Sequence, residues 1–132
     1  MNNDYNLTRF TNTGSRLGNY SISLSSANSF GFLSGFYTKE NVKKYKKVIL
    51  FFDNEKKAVG FKFTNDPNVE GAFTIIHGGK RTTGSVTARS FIFSNDLNEK
   101  KYFGKKTPKK IQDSEFGEVF IIDLLQETKN SA

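Results

Sequence analysis

Lys47-Val48-Ile49-Leu50-Phe51-Phe52-Asp53-Asn54-Glu55-Lys56-Lys57-Ala58-Val59-Gly60-Phe61-Lys62-Phe63-Thr64 says most about how this chain folds. Its first part ends in an unbroken apolar run, Val48 to Phe52, which reads as a buried strand. Asp53 to Lys57 is wholly polar, and Asp and Asn readily bond their own main chain, so the segment reads as a turn. Ala58 to Thr64 then alternates, with Val59, Phe61 and Phe63 on one face. Strand, polar turn and returning strand make a β-hairpin.

Upstream, Tyr20, Ile22 and Leu24 alternate with Ser21, Ser23 and Ser25, the pattern of a strand with one buried face, which Asn28 breaks. Between Phe30 and Tyr45 the apolar residues Leu33, Phe36 and Tyr37 sit at helical spacing. Gly31 and Gly35 weaken a helix there and Asn41 to Lys44 fits a final turn, so one short helix is expected. Downstream, Asn65-Asp66-Pro67-Asn68 is a turn and Phe73 to Ile76 a strand. A glycine-rich basic segment, His77 to Gly84, precedes Ser85 to Phe93, which begins as a strand and can close as a short helix. Residues 94–117 are the most polar and basic part, and Glu118 to Leu125 reads as a final buried strand.

At 132 residues the chain has room for one domain with a modest core. Fourteen Phe and five Tyr stand against one Met and no Trp, so aromatic rings must supply much of the buried area. The expected fold class is all-β or β-dominated α+β: a small barrel-like or compact, mostly antiparallel sheet domain with one or two short helices. Residues 1–17 read as a flexible arm, loose or pinned only through Leu7 and Phe10, residues 18–125 as the globular domain and residues 126–132 as a polar tail. An internal duplication is suggested by Ser29-Phe30-Gly31-Phe32 recurring as Ser90-Phe91-Ile92-Phe93, and by the Asp53 turn and its strand recurring at Asp113 to Leu124. The match fails where Val48 to Phe52 would align with the polar Pro108 to Gln112, so chance similarity of small β units stays open beside it.

Several chemistries are excluded by residue type. Without cysteine there is no disulfide, cysteine-based zinc site or thiol nucleophile. The longest apolar run is five residues, far below the roughly twenty that span a bilayer. Met1 to Gly18 lacks both the basic start and the apolar run of a signal peptide, so a cytoplasmic protein is expected. His77 is the only histidine and sits between a strand end and a loop, where a solvent-facing or loop-capping role is expected. Gly79 and Gly84 have the spacing of a phosphate-binding loop, but Ser85-Val86 follows where Lys and Ser/Thr are required. The loop still offers amides, hydroxyls and two cations for loose phosphate contact. A restriction-type nuclease could use Asp53, yet Gly60 occupies the place of its second carboxylate before Lys62. Asp113, Glu115, Glu118 and Asp123 read as solubilising charges around a turn. No catalytic residue, metal ligand or cofactor is expected.

Twenty Lys and Arg against thirteen Asp and Glu leave +7, which favours anionic partners. The cations gather in Lys43, Lys44, Lys46 and Lys47 around Tyr45, in Lys80 and Arg81 of the glycine loop, and in Lys100, Lys101, Lys105, Lys106, Lys109 and Lys110 around Tyr102 and Phe103. Lysine neutralises phosphate as a point charge and an exposed ring such as Tyr102 can stack on a base; both rings could instead belong to the core. With only four arginines, bidentate base reading is disfavoured. The expectation is a non-enzymatic protein that contacts DNA or RNA mainly through phosphates, with little sequence preference. One rival is a protein-interaction or accessory module, which calls for an exposed apolar patch and no continuous basic face. Another is a small-ligand barrel with a closed apolar pocket. A homodimer is open, and no membrane partner is expected.

Ile22-Ser23-Leu24, a short helix, Val48 to Phe52, the turn from Asp53 to Lys57 and Val59 to Phe63 follow one another in an order that resembles AbrB-type swapped-hairpin DNA-binding domains. The resemblance covers about a third of the chain and rests on pattern. It implies a small barrel made of two interleaved units that binds DNA through basic surface residues. This sequence lacks that family's Arg-rich first strand and helix, so no contact residue carries over.

Overall fold

The structure is a computed structural model that describes residues 20–126. The expected arm, residues 1–17, and all of the expected tail but Gln126 lie outside the described residues. Ten strands, β1 (Ile22–Ser25), β2 (Ser29–Phe32), β3 (Lys47–Asp53), β4 (Ala58–Thr64), β5 (Phe73–Thr74), β6 (Ile76–His77), β7 (Gly84–Thr87), β8 (Gly104–Lys106), β9 (Lys109–Asp113) and β10 (Gly117–Asp123), are joined by two six-residue helices, α1 (Ser34–Lys39) and α2 (Arg89–Ser94). They form two five-stranded antiparallel sheets, in the order β6-β7-β2-β1-β8 and β5-β3-β4-β10-β9. The fold is β-dominated as expected. The two sheets stay separate, so there is no closed barrel.

Aromatic rings bind the sheets together, as the composition requires. Phe30 and Phe32 of the first sheet meet Phe61 of the second edge-on, with ring centroids 5.1 and 5.9 Å apart. Phe36 of α1 is wedged against Phe120 at 5.0 Å and Phe63 at 6.1 Å. Edge-to-face pairs of this kind add roughly 0.5–1.5 kcal/mol each beyond the area they bury. Ile22, Leu24, Val59, Val86 and Ile122 fill the space around the rings and are essentially inaccessible.

The β3–β4 hairpin lies where the sequence puts it, in register from Lys47 against Thr64 to Asp53 against Ala58. Two expectations give way. The single helix over Phe30 to Tyr45 is instead β2, then α1, then a one-turn 3-10 helix over Val42–Lys44. Ser29 to Phe32 pairs with both β1 and β7, and Asn41, with φ of 56°, ends the helical path. The strand expected at Phe73 to Ile76 is split, because β5 pairs with β3 while β6 pairs with β7. The chain crosses between sheets at buried Ile75, whose N–H donates to the Lys46 carbonyl at 2.9 Å.

Strand, helix and hairpin recur along the chain: β2 and β7 lie side by side at the centre of one sheet, and β4 and β10 at the centre of the other. Each of β2 and β7 runs on into a short helix, and the hairpins β3–β4 and β9–β10 follow. The Ser29/Ser90 match does not belong to this correspondence, since the first copy is strand and the second helix. Pro108 to Gln112, too polar to match Val48 to Phe52, lies almost wholly within β9, and β8 stands between α2 and that hairpin where no strand separates α1 from β3. β9 tolerates polar residues because it is a sheet edge.

The outer faces of the two sheets differ. On the first, Ser23, Ser25, Ser29, Gly31, Ser85 and Thr87 alternate with core residues, giving a small-residue polar centre bordered by exposed Ile76 on β6 and by Lys105 on β8. On the second, the outward positions include Ile49, Phe51, Val119, Ile121 and Ile111. The strand read as buried, Lys47 to Phe52, therefore turns only one side to the core; beyond Val48 its apolar residues are partly exposed.

Candidate nucleic-acid interface

Local chemistry fixes the first basic segment before its charge matters. Buried Val42 anchors the 3-10 turn that carries Lys43 and Lys44. The extended stretch after it is fastened through its backbone: the Asn65 carboxamide accepts from the Lys46 N–H and donates to the Lys44 carbonyl, both at 2.8 Å. His77 Nε2 bonds the Tyr45 carbonyl at 2.8 Å. A carbonyl can only accept, so Nε2 carries the proton, and in the neutral ring Nδ1 accepts from the Tyr37 hydroxyl at 2.7 Å. Burial pushes the Tyr37 hydroxyl pKa up, opposed by the nearby Arg81 charge, so it remains a donor at neutral pH. His77 thus ties the first sheet's edge to the basic segment.

The second basic segment docks onto the first. The Arg81 guanidinium donates to the Lys43 carbonyl at 2.7 Å, although the two residues are far apart in sequence. Arg81 itself sits in the left-handed region, φ 53°, in a tight loop closed by its N–H to the Gly78 carbonyl and by the Gly78 N–H to the Thr83 carbonyl, both 2.9 Å. Those two amides are engaged within the loop, and the side chains of Lys80 and Arg81 project from it exposed. Lys43, Lys44, Lys46, Lys80 and Arg81 are all exposed, and among the described residues none of them is ion-paired.

The remaining candidates lie elsewhere. Tyr102 is only 4 % exposed, so its ring belongs to the core and is withdrawn as a stacking platform. Lys106 is 3 % exposed, its Nζ donating to the Gln126 carbonyl at 2.8 Å, and it too is withdrawn. Desolvation holds the Lys106 pKa below its ordinary value, with Asp123 acting in the opposite direction. Lys105 lies on β8, the edge of the first sheet opposite β6, and Lys100 and Lys101 lie just before it. Four strand spacings of ~4.8 Å put these edges about 19 Å apart. Lys101 lies 3.8 Å from Glu99. Lys109 and Lys110 are on β9, where Lys110 is 3.4 Å from Glu40 and 3.8 Å from Glu118. Lys47 falls on the outer face of the second sheet. The basic segments form one corner and separate flanks rather than a single face.

The acidic residues have structural work. Asp113 accepts the N–H groups of Glu115 and Phe116, both at 2.9 Å, which holds its carboxyl below the usual carboxylate range. Asp53 caps the first hairpin turn in the same way, at 3.0 and 3.1 Å from the N–H groups of Glu55 and Lys56. Among the described residues no three His, Asp or Glu side chains gather as a metal site.

One feature was missed by sequence reasoning. A groove of about 570 Å³ crosses the outer face of the second sheet, lined by Phe51, Gly60, Ile111, Phe116, Val119 and Ile121 among others. Its signal was present in Val48 to Phe52 and Val119 to Ile122, where apolar runs replace the alternation of a one-sided sheet. The groove is open and lies outside the packed sheets, unlike the enclosed pocket of a ligand-binding barrel. Compared with known proteins, the chain matches no family model, no curated protein and no solved structure.

Proposed function

We propose that this protein binds DNA or RNA through the phosphodiester backbone, without catalysis, at the corner formed by Lys43, Lys44, Lys46, Lys80 and Arg81. The observation that carries the reading is the 2.7 Å bond from Arg81 to the Lys43 carbonyl, which joins two basic segments distant in sequence. Lysine-dominated charge gives contact with phosphates and little base discrimination.

The test is a gel-shift series with duplex and single-stranded DNA and RNA. Lys43→Gln, Lys44→Gln and Lys46→Gln combined should weaken binding strongly, while Lys100→Gln with Lys101→Gln, at the opposite edge, should leave it nearly unchanged. The reverse order of effects would move the site to the β8 edge, and no binding at all would end the proposal.

A further inference from the structure

We propose that one unpaired cytosine base of a nucleic-acid strand enters a small pocket beside Tyr45 while the strand's phosphates lie on the Lys43/Arg81 corner. The inference rests on the phosphate contact proposed above and adds to it a single position at which the strand is read. The pocket exists because two strands part. β4 continues to Thr64 and β10 begins at Gly117, yet their pairing ends at Phe61 with Phe120. Lys62 leans across the resulting notch, since a Cβ on Gly117 would lie 3.5 Å from its Nζ. Glu40, at the end of α1, and Tyr45 complete the walls, leaving about 150 Å³ lined by Glu40, Tyr45, Lys62, Phe63, Glu118 and Phe120. That is well below the ~300–1,000 Å³ of a drug-sized pocket and suits one planar ring.

The lining matches a base in two respects. Its walls are aromatic: the Phe63 and Phe120 ring centroids are 5.9 Å apart, and Tyr45 packs on Phe63 at 5.7 Å with the ring planes only 31° from parallel. Bases of any kind stack on such rings. Its polar groups are of both kinds. The Tyr20 hydroxyl donates to Glu40 Oε2 at 2.7 Å, and Lys110 Nζ lies 3.4 Å from Glu40 Oε1 and 3.8 Å from Glu118 Oε2. One nitrogen reaches both carboxylates, so the two acceptors converge as an exocyclic amino group requires. Among the described residues Lys62 pairs with no carboxylate, which leaves it as a donor. Of the one-ring bases, cytosine presents an amino donor, whereas thymine and uracil would set a carbonyl against the carboxylates. Lys62 and Lys110 balance the charge of Glu40 and Glu118, so the pocket does not repel a strand.

Tyr45 joins this pocket to the corner. It lies between Lys44 and Lys46, its carbonyl is held by His77 Nε2 at 2.8 Å, and the Lys44 ammonium sits 5.2 Å from its ring centroid. A cation of the corner therefore stands at the pocket wall, within one nucleotide's reach of an inserted base. A duplex keeps its bases stacked and paired and cannot use the pocket.

Fluorescence anisotropy of the full chain with short oligo-dT strands, with and without one central dC, tests this. The dC strand should bind roughly tenfold tighter, the size of one good base contact, with the same salt slope. Glu118→Gln should abolish that preference, and so should Tyr45→Leu. Glu115→Gln, the same charge change at the exposed β9–β10 turn, should keep it. Lys62→Met is a further variant should Tyr45→Leu fail to fold. Equal affinity for the two strands, with both weakened by loss of the Lys43, Lys44 and Lys46 charges, overturns the pocket and leaves the phosphate contact standing. A dC preference that Glu118→Gln, Tyr45→Leu and Lys62→Met all leave in place overturns it too. If neither strand binds, both proposals fall.

Discussion

Arg81→Gly sets backbone strain against charge at one position. Arg81 holds φ at 53°, where a side chain costs on the order of 1 kcal/mol and glycine costs little. The substitution relieves that strain but removes the exposed bond to the Lys43 carbonyl, worth about 1 kcal/mol. Folding stability should therefore stay within about 1 kcal/mol of wild type in urea denaturation. Binding should respond differently. If each of the five cations at the corner meets one phosphate, log K for duplex DNA falls with log salt at a slope near −4.5, and losing one cation brings it to about −3.6. Fluorescence anisotropy at several salt concentrations reads the slope directly. Arg81→Lys should keep the wild-type slope, since its charge is retained. An unchanged slope for Arg81→Gly, or a stability loss above about 2 kcal/mol, would refute the reasoning.

Three further outcomes follow from the geometry. Asn65→Ala removes two 2.8 Å bonds that fasten the Lys44–Lys46 backbone but no charge, so affinity should drop several-fold in anisotropy while the salt slope holds. Phe61→Ala, at a fully buried position touching Phe30 and Phe32, should cost about 3–5 kcal/mol in chemical denaturation. Lys106 has a folded pKa below its unfolded value of 10.5, so the unfolded chain binds more protons as the pH approaches that value and wild-type stability rises there. Lys106→Met should lack this rise, which thermal melts at pH 8 and pH 10 would reveal.

The hairpin from Lys47 to Thr64 was legible because alternation, polar turn and β-branched or aromatic content all agree there. The Phe30–Tyr45 segment was not, because Phe30 and Phe32 obey a period of two while Leu33, Phe36 and Tyr37 obey a helical one, and the boundary between them lies where β2 gains its partner β7. That pairing is long-range and leaves no local mark. Charge placement was legible as segments, but which segments meet depends on strand order: β6 brings Arg81 to Lys43, whereas β8 carries Lys105 to the far edge. Tyr102 and Lys106 looked like surface residues from their basic neighbours. The fold buries Tyr102 because its 3-10 turn faces the core, and Lys106 because it points inward opposite Ile22.

The central claim is phosphate contact at the Lys43/Arg81 corner, and the salt dependence of wild-type affinity for a short duplex tests it most directly. With five contacts, affinity should fall about 500-fold between 50 and 200 mM salt. Affinity that barely changes over that range would contradict the account.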